Sequence, residues 1–394
     1  MVRSATTGSS RSTPRGEIVA LRDADGAQPV LQTDGPQWGW TVDHGGSVER
    51  CRKAANDESV ETTTMHATNH HKTSEERTPI EQIADHELPS EIDELVTEYE
   101  DRIGHRDEFL WKWLHVVLPH VTLSSVAEEF ETQVRDAKTI ASMYVVLLDD
   151  IGEIDRDKPT LHQASRIPFE SVALDDGRGE IDRDSLEVAT HIWNRVEESI
   201  DVAPRGREFA DVLTFDLKQT LNAIDYSYLV NENLEMANLE ESWRFDCYNM
   251  MLFTYMNVDL MFSPSFDRAD WGRLREAVGK AQRMARIGNW ITTWEREIAE
   301  GDFSSGIMTY ALDQGIVSTN ELVALRTDPD PHVADGIVKK INSHDVERQF
   351  HELWERTYHD AKALESDVES VDLSAFFEGM ETVMEFHVAS RGLK

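Results

Sequence analysis

The chain has 394 residues and sets 75 Asp and Glu against 39 Lys and Arg, a formal net charge of −36. Such a charge repels nucleic-acid phosphates and excludes a nucleic-acid partner. Spread along residues 65–394, with only 11 Lys among the chain's basic residues, it points to a halophilic setting, a salt-rich cytosol where a Debye length of about 3 Å at molar salt screens self-repulsion.

No run approaches the roughly 18 uninterrupted apolar residues of a membrane span, so no stable membrane insertion is expected. No signal-peptide core opens the chain, and two cysteines, Cys51 and Cys247, make no disulfide framework. A soluble, cytoplasmic protein is the expectation. Its oligomeric state stays open, a homodimer included.

Residues 1–64 are rich in Ser, Thr, Gly and Arg, lack helical periodicity and carry 7 basic against 9 acidic residues. They read as a disordered tail, or as sequence upstream of a start at Met65, followed by a linker over 65–89. His66, His70 and His71 cluster there and read as part of a flexible segment rather than as a metal site. From 90 to 394 one apolar helical pattern follows another, punctuated at Pro159, Pro168, Pro204, Pro264 and Pro329. No alternating strand run interrupts it, so the fold class predicted is all-α, one large domain of roughly 300 residues.

Two acidic motifs stand out in that domain. Upstream of Asp149-Asp150-Ile151-Gly152-Glu153, the residues Ala137, Ile140, Tyr144, Leu147, Leu148 and Ile151 recur at steps of three and four, a stripe facing a core. Asp149 and Glu153 are four apart and share one helix face. Carboxylates so gathered repel one another unless a cation lies between them, and hard oxygen ligands suit Mg²⁺. The plainer reading is a solvated charge cluster in an acidic protein. Further on, Asn289, Thr293 and Glu297 repeat at i, i+4 and i+8, a row of amide, hydroxyl and carboxylate rising about 6 Å per step.

Taken together and in this order, the motifs resemble those of the class I terpenoid synthases, the microbial terpene cyclases in particular. Asp149-Asp150-x-x-Glu153 resembles the family's aspartate-rich motif, and Asn289-x-x-x-Thr293-x-x-x-Glu297 its Asn/Ser-Thr/Glu motif, with Trp290 where an Asp often follows. Glu297-Ile298-Ala299-Glu300-Gly301-Asp302 resembles the acidic stretch that closes that helix. Arg244, 45 residues before Asn289, lies close to the family's diphosphate-sensing arginine. Ser390-Arg391 resembles its diphosphate-binding Arg-Tyr element, with Gly392 in place of the Tyr.

The resemblance covers about residues 90–394 and implies an antiparallel helical bundle. It also implies three Mg²⁺ ions, with Mn²⁺ as a substitute, held by Asp149, Asp150, Glu153, Asn289, Thr293 and Glu297. The substrate implied is a linear prenyl diphosphate, farnesyl or geranylgeranyl, with Arg244 and Arg391 on the diphosphate. Tyr144, one turn before the aspartates, is the first candidate for an aromatic face toward a carbocation; Phe245, Tyr248 and Trp290 are others.

Related enzymes differ at these positions. Chain-elongating prenyltransferases carry a second Asp-rich motif, squalene-type synthases two DxxxD motifs, and class II cyclases a DxDD that Asp23-Ala24-Asp25-Gly26 and Asp155-Arg156-Asp157-Lys158 both miss. A prenyltransferase on the same fold and a non-enzymatic acidic scaffold remain the alternatives.

Overall fold

The structure, a computed structural model, describes residues 77–169 and 181–393. The proposed tail, the His66 cluster and Cys51 lie outside the described residues. By its contacts the chain falls into two units, residues 1–71 and 72–394, and every described helix belongs to the second. Among the described residues there is no strand.

The described residues open with a helix inside the segment read as a linker. α1 (Pro79–Ala84) has a capping box between Thr78 and Glu81 and a proline in its first turn, and it buries Ile83 in the core. Six residues are too few to show a 3.6 period, which is why the pattern missed it. α2 (Ser90–Arg102) and α3 (Glu108–Val117) follow, then a 3₁₀ turn over Leu118–Val121.

α4 (Glu131–Glu153) carries the first motif at its C-terminal end and is buried around most of its circumference. It is surrounded by α3, α5 (Lys158–Ala164), α6 (Arg183–Asp201), α7 (Gly206–Glu232) and α9 (Leu252–Met261). Between α7 and α9 the chain makes a short α8 (Leu239–Arg244) and a 3₁₀ turn over Asp246–Met250. α10 (Trp271–Glu300), the longest of the described helices, carries the second motif and packs on α9, α14 (Val346–Lys362) and α15 (Leu373–Ala389). α11 (Gly306–Asp313), α12 (Thr319–Thr327) and α13 (Pro331–Asn342) connect α10 to α14.

The prolines fall where the sequence placed its breaks. Pro159 sits in the first turn of α5, Pro204 and Pro264 lie in the turns before α7 and after α9, and Pro329 separates α12 from α13. A fully buried ion pair, Lys138 Nζ to Asp259 Oδ1 at 2.5 Å, ties α4 to α9. Burial pushes Asp259 up to about 6 and Lys138 down, so the pair fixes register more than it adds stability. α4 and α10 share no extensive contact, while α9 touches both; the space between them is a cavity.

Candidate active site

A cavity of about 730 Å³ opens where the two motif helices end. Its depth is apolar, walled by Leu114 and Val117 of α3, Val145 and Val146 of α4, Leu252 of α9 and Val383 of α15. Its mouth is charged. Asp149 and Glu153 reach it from α4, and Asn289, Thr293 and Glu297 from α10, with Asp302 just beyond the Gly301 that ends α10.

These carboxyls feel one another across the mouth. Burial, then the neighbouring Asp150 charge, pushes Asp149 up to about 7 against the pull of Arg106 and Arg286. Burial raises Glu153 well above the carboxylate range, and the charges of Asp149, Asp302 and Glu297 raise it further. Glu297 is pushed up to about 7, by burial first and by Asp302 second. Its Oε2 is buried with no hydrogen-bond partner. A cluster of this kind, short of compensating protons or cations, is a functional-site signature.

Around the motifs stand residues that the sequence reading did not single out. Arg286, buried on α10 one turn before Asn289, donates to Asp246 through Nε at 2.7 Å and Nη2 at 2.5 Å. Its Nη1 donates to Asn289 Oδ1 at 2.8 Å, which fixes the orientation of the amide. Asn249 Nδ2 donates to Asp149 Oδ1 at 3.3 Å. Asn249 comes from the irregular stretch between α8 and α9, where Met251 takes a left-handed φ of +60°. A non-glycine residue held there costs on the order of 1 kcal/mol or more, and the break it makes turns Asn249, Met250 and Leu252 toward the cavity.

The other expected residues are distributed differently. Asp150 does not line the cavity: it accepts from Arg106 Nε at 2.8 Å and from the Tyr99 hydroxyl. Arg106, in turn, does line it. Arg244 is exposed and pairs with Glu240 at 3.1 Å. Arg391 pairs with Glu347 at 2.6 Å, away from the cavity wall.

Tyr144 is fully buried, donates to Ala164 O at 2.6 Å and packs on Trp193. Phe245 packs on Tyr226, Tyr248 stacks on Phe253, and Trp290 is buried between Trp243 and Phe350. None of these four lines the cavity. The aromatic side chains that do are Trp113, edge-on to His387 with centroids 4.8 Å apart, and Tyr255, whose hydroxyl lies 2.7 Å from Ser142 Oγ.

No family model matches the chain, and a search of curated proteins finds no match. The reading of the site therefore rests on its own residues. Among the described residues no three His, Cys, Asp or Glu side chains gather closely enough to hold a metal ion by themselves.

Proposed function

We propose that the chain is a class I terpene synthase that ionises a linear prenyl diphosphate and cyclises or quenches the resulting cation, on a helical bundle of that family's type. The observation that carries this is the meeting of the two motif helices at one cavity mouth, where Asp149 and Glu297 both raise Glu153 and Glu297 Oε2 is unpartnered. An apolar cavity behind a cation-hungry mouth suits a substrate with a greasy chain and an anionic head.

The donor set fits Mg²⁺. Asp149 and Glu153 on one side and Asn289, Thr293 and Glu297 on the other offer hard oxygens, the kind that ion shares with waters and phosphate rather than enclosing in a protein cage. That sharing explains why no compact His, Cys, Asp and Glu group is needed. Bound there, Mg²⁺ would neutralise the diphosphate leaving group as a Lewis acid.

The remaining parts belong to the chain. Arg286 holds Asn289 in place, and Asn249 does the same for Asp149. The apolar walls from α3, α4 and α15 exclude water from the allylic chain. Trp113 and Tyr255 line the cavity, and an aromatic face there would stabilise a cation by roughly 0.5–2 kcal/mol.

A Mg²⁺ titration of inorganic diphosphate release from farnesyl and geranylgeranyl diphosphate tests this. Release should rise with Mg²⁺ and vanish with a chelator. Release that is absent for both substrates at every Mg²⁺ concentration would overturn the reading.

A further inference from the structure

Two arginines at the mouth of the cavity point at one atom. Arg156 lies just after α4 and Arg326 on α12, and both line the cavity beside the carboxylate cluster. Arg156 Nη2 donates to Gly301 O at 3.3 Å, and Arg326 Nη2 donates to the same oxygen at 3.1 Å. Arg326 also donates to the Asn231 backbone carbonyl and side chain, the latter at 3.2 Å, and its Nε is buried without a partner. Among the described residues neither guanidinium has a carboxylate within ion-pair reach.

That arrangement runs against the rest of the chain. With 75 acidic residues to 39 basic ones, a carboxylate is the partner most readily found. Burial, then the Arg156 charge, hold Arg326 below its ordinary value, against the weaker pull of the Glu232 and Asp302 charges. Arg156 is, in addition, one of three non-glycine residues described with a left-handed φ, at +53°. That turn brings the chain leaving α4 back toward the end of α10. Cations near the last carbonyls of a helix do stabilise it, and capping accounts for the two bonds to Gly301. It leaves the Nε of Arg326 without a hydrogen-bond partner and two guanidinium groups side by side on the cavity wall, with no carboxylate in ion-pair contact with either.

We propose that Arg156 and Arg326 are a clamp for the oxygens of a diphosphate, which takes over from Gly301 O when the ligand arrives. Guanidinium groups match such oxygens in a forked, charge-assisted geometry. The clamp rests on the functional reading above and names the residues that grip the leaving group in this chain, the role expected of Arg244 and Arg391. Neither Arg156 nor Arg326 belongs to a motif of the sequence resemblance.

The test is the affinity of the full chain for inorganic diphosphate at saturating Mg²⁺, measured by calorimetry for wild type, Arg156→Gln and Arg326→Lys. Arg273→Gln, at an exposed guanidinium on α10, controls for net charge. Arg156→Gln should bind at least tenfold more weakly, in line with loss of a hydrogen bond between charged groups, and Arg273→Gln should bind like wild type. Arg156 is exposed, so this variant decides the matter even if Arg326→Lys fails to fold. Wild-type affinity in Arg156→Gln, with only a lowered melting temperature, would reduce both arginines to helix caps and overturn the clamp. The two readings also fail separately. Wild-type turnover with an unchanged KM in Arg156→Gln sinks the clamp alone, whereas no turnover in wild type, with diphosphate binding lost in Arg156→Gln, sinks the synthase reading and leaves an anion site.

Discussion

Glu297→Gln should make the ligand-free protein more stable while costing it its ligand response. The Glu297 carboxyl is raised from its ordinary 4.5 to about 7 by burial and by Asp302. A raised carboxyl contributes stability that is complete below the unfolded value and is lost as pH climbs through the folded one. Ionised Glu297 therefore burdens the native state above about pH 7. At roughly 1.4 kcal/mol per unit the ceiling is about 3 kcal/mol, and water at the cavity mouth trims it to about 1–2 kcal/mol. For a domain of this size that is about 2–4 °C in Tm.

The assay is thermal unfolding in molar KCl at pH 5 and pH 8, with and without Mg²⁺ plus inorganic diphosphate. The variant should melt close to wild type at pH 5 and a few degrees higher at pH 8. The upshift that Mg²⁺ and diphosphate give wild type at pH 8 should largely disappear. A variant less stable than wild type at pH 8, or one that keeps the full ligand shift, would refute the placement of Glu297 among unneutralised carboxylates.

Asp149→Asn and Asn289→Ala should each lower turnover at least 100-fold with the far-ultraviolet circular dichroism unchanged; near wild-type rates at saturating Mg²⁺ would contradict the ligand assignment. Arg286→Ala should destabilise by about 3–5 kcal/mol in denaturant titration, because it leaves Asp246 buried and uncompensated. Arg244→Ala removes only an exposed pair and should change neither stability nor KM, which a kinetic comparison checks. Lowering KCl from molar to tens of millimolar should unfold the protein cooperatively and reversibly, as the −36 charge loses its screening; equal stability at both salts would contradict that account of its composition.

Spacing alone brought Asp149, Glu153, Asn289, Thr293 and Glu297 to one cavity, and the expected residues that lie off it trace to one geometrical confusion. The stripe Ile140, Tyr144, Leu147, Leu148 and Ile151 is the face of α4 that packs into the core, and those residues are buried. The cavity face is a different one, running through Ser142, Val145, Val146, Asp149 and Glu153. Those positions are three, four or seven residues from Asp149, whereas Tyr144 is five away and Asp150 one, both rotated off that face. The same rule removes Trp290 and adds Arg286, three residues before Asn289.

Other features had no local signal. That Trp113 and Tyr255 would line the cavity follows from how α3 and α9 pack, not from their own periodicity. Arg244 sat at the expected distance along the chain, but the short α8 ends there with the side chain in solvent. The all-α class and the helical setting of both motifs needed nothing beyond apolar period and proline placement.

The most direct measurement is product analysis of the full chain incubated with farnesyl or geranylgeranyl diphosphate and Mg²⁺ in molar KCl. A cyclic or quenched hydrocarbon or alcohol should partition into organic solvent, with one inorganic diphosphate released per product. Isopentenyl diphosphate should add no longer chain if the synthase proposal holds, because that proposal gives Asn289, Thr293 and Glu297 the place of a second Asp-rich motif. Product that forms only with isopentenyl diphosphate present, as a lengthened prenyl diphosphate, would contradict the account and replace the synthase with a prenyltransferase.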